Sequence, residues 1–456
     1  MSNSLTIAER VASWGSALDL DAVPVDVQQA AKRCIIDLVG VAVAGASCPQ
    51  SQRVFDYARR VYAPGSATVF DFSNHMSPVG AAFVNATVGH VLDFDDTSYT
   101  GIMHGSTVVF PAALAAAEYV PTDGRRLLEA FIVGSEVTYA VALLCTHSHY
   151  HKGWWSTGTF GAFGAAAAAA MAMKLSELQT TTALALAGVQ ACGLKVAFGT
   201  DAKPYLAGRA AAIGVESALL AADGYSAPPG VLEDRRGFIQ VMNDGVANND
   251  GIDRLGQDWR LVDPGIFFKQ YPVCSAAHAA VELTQRLLEQ NELQCDSIEK
   301  VVCEVPPLVA ASLIYDKPAN PQEAQFSMPF AVGAMLAYGR LGAENLSANT
   351  LSDPRLQSEM SKVEMRRVDS FEEAEGPECA RITLVASDGS RLTGFLGEPV
   401  GMPANPMSDE QLHEKFLRCT SFGGLQHDYA VSLLKHLTEI ESMPSGLPDR
   451  CVNAYE

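Results

Sequence analysis

The run FGAFGAAAAAAMAM, Phe160 to Met173, decides the fold class. Alanine is the best helix former, and its small side chain lets neighbouring backbones approach closely. A segment apolar on nearly every face belongs inside a bundle, not on its surface. A second Ala-rich run over 179–198 has the same character. At 14 residues the first run is too short to span a bilayer, which takes about 20.

Outward from this pair, the text keeps a helical period. Residues 28–45 (QAAKRCIIDLVGVAVAGA), 79–92 and 108–120 are apolar and rich in small residues. Asp223-Gly224 and Pro228-Pro229-Gly230 mark turns. The character changes after about residue 268. Helix-like text at 275–290 leads to IEKVVCEVP (298–306), where Val301, Cys303 and Val305 alternate as in a half-buried strand. ARITLVASDGSRLTGFL (380–396) reads as a hairpin turning at Asp388-Gly389. Helical text returns at 408–440. The expected fold is mainly α. A large all-helical domain (1–268 with 402–456) is joined by a smaller α+β domain (269–401), inserted before the helical return.

The bulk numbers agree with a two-domain globular chain. It has 456 residues, 48% hydrophobic and 18% charged, too long for one ordinary core. The formal charge of −20 repels phosphate backbones, so nucleic acid is not an expected partner. A small anionic substrate would be repelled at long range too, so any site for one must collect its own cations. The first 26 residues carry Glu9, Asp19 and Asp21 and no basic-then-apolar leader. Ten cysteines are scattered with no CxxC, as in a reducing compartment. A cytoplasmic protein without a membrane partner is expected.

Four segments could carry chemistry. In GHVLDFDDTSYTGIMHGSTVVFPAALAAAE (89–118), Asp93, Asp95 and Asp96 crowd together and His104 follows on a Gly-containing loop. Clustered carboxylates repel, which can raise a pKa into an acid–base range. The plainer alternative is a helix end whose aspartates cap backbone amides, and an Asp-rich Mg²⁺ site is a third. In HSHYHKGWWSTGTFGAFGAAAAAA (147–170), His147, His149 and His151 alternate. On a strand they could hold a metal; otherwise this is a polar loop. Thr157 and Gly158 open the Ala-rich helix, where amides can hold an anion.

The third segment, FGTDAKPYLAGRAAAIG (198–214), sets Lys203 and Arg209 among small residues, as a carboxylate clamp or as a solvated face. The fourth, FFKQYPVCSAAHAAVEL (267–283), carries Lys269, with Cys274 and His278 spaced i, i+4. That spacing would suit a Cys–His pair. GxGxxG, GxxxxGK[ST], GxSxG and HExxH patterns do not occur, against dinucleotide, P-loop, serine-hydrolase and zincin chemistry.

In order along the chain, HVLDFDDT, His104 with STVVFPAALAAAE, GWWSTGTFGAFGAAAAA, FGTDAKPYLAGRAAAIG, KQYPVC with His278, and FSMPF (326–330) resemble the MmgE/PrpD family. That family includes 2-methylcitrate dehydratases, cis-aconitate decarboxylases and iminodisuccinate epimerases. The resemblance covers nearly the whole chain. It implies a large helical domain plus a smaller α+β domain, a homodimer, and a site between the domains. It places Asp93, Thr97, His104, Lys203 and Lys269 in that site, with Asp93, His104, Lys203 and Lys269 catalytic. Thr97, Trp155, Thr157, His278 and Phe330 are the implied substrate-binding positions. No cofactor and no metal are implied.

Two positions depart from the family pattern. Trp155 stands where the family has histidine in GWHPTG or GFHPTG, and Phe330 where its decarboxylases have tyrosine. An indole N–H can donate a hydrogen bond but cannot transfer a proton. The leading expectation is a lyase that moves a proton beside a substrate carboxylate, in dehydration or hydration. Decarboxylation or epimerisation on the same scaffold is the alternative. A non-catalytic binding protein on this fold is the contrasting class.

Overall fold

The computed structural model describes residues 5–372, 376–444 and 447. The first part is built of helices, among them α1 (Val25–Ala46), α2 (Pro78–His90), α3 (Ser106–Tyr119), α4 (Gly124–Cys145), α5 (Ser156–Ala172), α6 (Glu177–Gly188) and α7 (Ala202–Ala222). All 17 residues of α5 are buried. It runs through the middle of the bundle and packs against α3, α4, α6 and α7. Small residues make that possible. A Cβ at Gly164 would collide with the Thr138 hydroxyl of α4, and one at Gly214 of α7 with the backbone of Ala165.

The helix expected over 179–198 stops at Gly188. Beyond it the chain passes over the start of α5, where Trp155 N donates to Gly193 O (2.9 Å). A Cβ at Gly158 would lie 2.8 Å from Cys192 O. Backbone this close cannot stay helical, so 189–194 is loop.

By length and composition α4 and α7 could each cross a bilayer, unlike the 14-residue run singled out from sequence. The most apolar windows of α4 and α7 are 94% and 61% buried within the fold, so their apolar faces are largely matched by protein neighbours.

The second part contains α8 (His278–Gln290), β1 (Ile298–Val305), α9 (Met328–Tyr338), α10 (Pro354–Ser361), β2 (Val363–Arg367), β3 (Ala380–Ala386) and β4 (Arg391–Leu396). The sheet order is β2-β1-β3-β4, with β1 and β2 parallel and the other pairs antiparallel. Cys303 faces Ile382 across the sheet. The hairpin turns at Gly389, whose φ of +82° suits glycine. Helix α8 packs on β3 and β4. The chain then returns as α11 (Asp409–Phe422) and α12 (His427–Thr438), both packed against α1.

The architecture is mainly α, with a smaller α+β part. One core gathers residues from Ile7 to Phe268 together with Met407 to Leu447. The other gathers Tyr271 to Leu384. The functional residues lie along the seam between them.

Candidate active site

The site begins where α2 ends. Asp93 adopts a left-handed φ of +47°, costly for a residue with a Cβ and seen where surroundings over-determine the backbone. The loop after it is pinned twice. Thr97 and Phe267 exchange backbone hydrogen bonds (2.9 and 2.8 Å), and Ser98 pairs with Met103 (2.8 and 3.0 Å). The first bridge draws the segment bearing Lys269 against the aspartate loop. Helix α7 brings Lys203 from the other side.

The result is one buried cluster. Lys203 Nζ donates to Asp93 Oδ1 at 2.5 Å. Lys269 Nζ lies 3.2 Å from Asp93 Oδ2 and donates to the Asp93 carbonyl at 2.6 Å. His104 Nδ1 donates to the Asp96 carbonyl at 2.8 Å, which leaves Nε2 facing Asp93 Oδ1 at 3.7 Å. Thr97 Oγ1 is 3.4 Å from the same Nδ1. The backbone N–H of His104 donates to Thr157 Oγ1 (3.0 Å) on the first turn of α5. Thr157 therefore holds the histidine's backbone instead of offering an open helix terminus.

His90, which closes α2, completes the cluster. Its Nδ1 donates to the Asp95 carboxylate at 2.9 Å, and its ring meets that of His104 edge-on, centroids 4.5 Å apart. The Trp155 ring covers His90 (centroids 5.2 Å, planes at 36°). Lys203 Nζ sits over the rings of Phe198 and Phe326 (both 5.0 Å) and Trp155 (5.5 Å). Trp155 is thus an aromatic wall of the site.

Electrostatics follow from burial and these contacts. Burial alone would raise the Asp93 carboxyl. Lys203, Lys269 and the two histidines override it and hold Asp93 well below the usual carboxylate range. Burial pushes Asp95 up, against the pull of His104 and Lys269. Asp96 is pushed up to about 7, by burial and then by the charge of Asp37, while the Ser106 hydroxyl donates to it. His104 is held well below 6.5, first by burial and then by Lys269, with Asp95 opposing. Burial also lowers His90, reinforced by Lys203. Lys269 is held above its ordinary value because Asp93 and Asp95 outweigh burial.

His90, Asp93, Asp95 and His104 offer ligand atoms within 4.8 Å of one another, a donor set a divalent ion could use. Two ammonium groups already contact Asp93, however, and a dication would have to displace them. The arrangement suits anionic groups better than a metal ion.

Other residues singled out from sequence lie elsewhere or act differently. His278 is fully buried, its ring between Phe267 and Tyr271 (centroids 5.3 and 5.1 Å). Burial and then Lys269 lower it to about 3. Cys274 precedes the first turn leading into α8, and burial pushes its thiol up to about 12. A Cys–His nucleophile is therefore not formed. Phe330 packs in the core of the smaller part. Arg209 reaches the Tyr62 hydroxyl (3.5 Å) instead of joining Lys203. Of the three alternating histidines, His149 and His151 sit on a single helical turn, Ser148–His151, and His147 caps it; none is on a strand. His149 is buried among Trp154, Phe160 and Phe238, while His147 bonds the Tyr99 carbonyl (3.0 Å).

Sequence reasoning missed His90 and Glu378. His90 lies three residues before Asp93, and a titratable residue ending an otherwise apolar helix was the available signal. Glu378 accepts from Tyr99 (2.5 Å) and Ser275 (2.9 Å), tying the aspartate loop to the smaller part. No local pattern marks it.

The MmgE/PrpD N-terminal domain matches residues 9–249 and the MmgE/PrpD C-terminal domain residues 271–430. A cis-aconitate decarboxylase of Aspergillus terreus is 25% identical over 435 residues, covering 90% of this chain and 88% of its own. The cis-aconitate decarboxylase of Homo sapiens is 27% identical over 429 residues (91% and 88%), and that of Mus musculus 27% over 430 (90% and 86%). With domain models matched across both parts of its length, this chain belongs to the MmgE/PrpD family.

Proposed function

We propose that this chain is a carboxy-lyase acting on a small unsaturated polycarboxylate of the cis-aconitate type. The observation that carries the reading is Asp93 held between Lys203 and Lys269 with His104 Nε2 turned toward it. In a chain of charge −20, two buried ammonium groups beside a neutral histidine form a site for carboxylates. The similarity to cis-aconitate decarboxylases across most of the chain supports the same reaction class.

In such a reaction the bond to one carboxylate breaks and CO₂ leaves. The electron pair stays on the carbon skeleton and spreads through the double bond. Lys203 and Lys269 hold the remaining carboxylates and stabilise that charge. The carbanion then takes a proton from His104 Nε2. His104 is neutral in the free site near neutral pH. An arriving polyanion offsets the two lysines, raises the histidine's proton affinity and so recruits the proton it needs.

Epimerisation is less well supported, because it needs proton donors on opposite faces and the His90 and His104 rings lie together. Dehydration needs an acid for the departing hydroxyl, and Trp155 occupies the position where the family carries histidine.

The test is turnover of cis-aconitate in D₂O followed by NMR. The expected result is CO₂ release with one deuterium on the product carbon, lost in His104→Ala. Hydration or dehydration of 2-methylcitrate or citrate without CO₂ release would replace this reading with a hydro-lyase. Folded protein inert to all of these would remove it.

A further inference from the structure

A cavity of about 160 Å³ opens at the seam, lined by Phe94, Gln270, Arg340, Lys415, Arg418 and Cys419 among others. Its chemistry is unusual for so acidic a chain. Lys415 and Arg418 lie three apart on α11 and share a face. Arg340, just past α9, comes from the other core, paired with Glu344 at 3.2 Å. Arg418 forms no ion pair or hydrogen bond among the described residues. Gln270 Oε1 is buried in the lining without a hydrogen-bond partner. Arg340 shares its charge with Glu344, which also lines the cavity, and Lys415 with Asp37, so Arg418 is the lining cation left unmatched; with the unpaired Gln270 acceptor it suits a ligand that has both anionic oxygens and an O–H.

The floor of this cavity touches the aspartate loop. Lys415 Nζ is 2.6 Å from Asp37 Oδ1, donates to the Phe94 carbonyl at 2.9 Å, and lies 4.0 Å over the Phe94 ring. Phe94 and Gln270 are the chain neighbours of Asp93 and Lys269, so the two sites share backbone but not side chains.

We propose that this cavity is a second anion site, for a phosphate group that carries one P–O–H, either hydrogenphosphate or the monoanion of a phosphomonoester. Arg418 and Arg340 bind the anionic oxygens from either side of the seam, Gln270 accepts the ligand O–H, and Lys415 supplies the charge beneath. Because Lys415 also holds the Phe94 carbonyl, occupancy draws on the contact that fixes the backbone beside Asp93. This goes beyond the proposed lyase activity and stands or falls without it.

The test is calorimetry and thermal shift on the full chain with inorganic phosphate, against chloride at matched ionic strength. Saturable phosphate binding and a raised Tm are expected. Arg340→Ala combined with Arg418→Ala should weaken phosphate about tenfold or more, as loss of charge-assisted bonds does. Lys203→Ala should bind phosphate like the unmodified chain. Both arginines are exposed, so the double variant should fold; Gln270→Leu, which removes the neutral side-chain amide and no charge, should weaken binding by a smaller factor. Glycerol phosphate in place of phosphate distinguishes an ester ligand from the free ion. Phosphate binding no tighter than chloride would overturn the proposal. So would binding lost in Lys203→Ala and kept in the double variant, which would assign the anion to the catalytic cluster.

Discussion

Two histidine-bearing loops flank the same seam, and only one is built for chemistry. Between α2 and α3, His90 and His104 converge on Asp93 and Asp95, with Lys203 and Lys269 arriving from 110 and 176 residues further along. Between α4 and α5, His147, His149 and His151 share one short turn. His149 is sealed among aromatic rings, its Nε2 on Thr159 Oγ1 at 2.9 Å and its proton affinity lowered to about 4 by burial. Histidine density is similar in the two loops. The difference is that the first gathers two lysines from distant elements onto a buried carboxylate, whereas in the second His149 is packed among Trp154, Phe160 and Phe238. Chemistry here depends on which long-range partners reach a histidine, not on its local spacing.

The largest expected contrast is kinetic. Lys203→Ala should lower turnover of cis-aconitate by about 10²–10³-fold, since it removes stabilisation of charge developing in a closed site. His104→Ala should cost about 10²–10⁴-fold, the usual contribution of a positioned acid or base. His149→Ala should leave kcat within about threefold, because the residue only fills space there, and instead lower stability by about 1–3 kcal/mol. Steady-state rates beside denaturant titrations check all three. Equal kinetic losses in His149→Ala and His104→Ala would erase the distinction between the loops.

A finer contrast is protonation. Binding a non-reacting tricarboxylate near pH 7.5 should take up close to one proton in the unmodified chain and much less in His104→Ala. Calorimetry in buffers of different ionisation enthalpy reads this directly. Uptake unchanged in the variant would assign the proton to another group.

The smallest effect concerns the buried histidine that takes no part in either loop. His278 stays neutral in the fold down to about pH 3, whereas the unfolded chain protonates it near 6.5. Between those values the unfolded state binds more protons, so stability falls as pH falls below about 6.5. His278→Asn should flatten part of that acid slope in Tm against pH. The slope will not vanish, because His90, His104 and His149 are depressed by burial as well.

Much of this organisation is legible in the sequence, for definable reasons. Helices such as α5 are apolar all round, and alternation at Val301, Cys303 and Val305 marks β1; both are local patterns. Asp93 and His104 stand out because they lie close together on one loop. Lys203 stands out in the sequence as a clamp candidate and Lys269 only as a neighbour of the Cys274–His278 spacing; the family resemblance alone places both in the site, since a lone lysine in text reads the same whether solvated or buried on a carboxylate. Glu378 acts across the seam on Tyr99, and Lys415 acts within the helical part on Asp37, each hundreds of residues away, and no window of sequence contains such a pair. Phe330 shows the converse. Its motif points to the site, but its ring lies in the core of the smaller part. A backbone crossing, not helix propensity, ends α6 at Gly188.

Asp37 sits in the middle of α1 and is matched by Lys415 on α11, near the other end of the chain. A nascent chain therefore makes a buried acid 415 − 37 = 378 residues before its counter-charge. Burial raises the proton affinity of Asp37, so a half-synthesised helical bundle must either keep that carboxyl protonated or leave α1 loosely docked. A firmly docked α1 with Asp37 ionised therefore needs α11 in place. Truncations before residue 415 should then yield aggregation-prone, open bundles instead of a shorter folded enzyme.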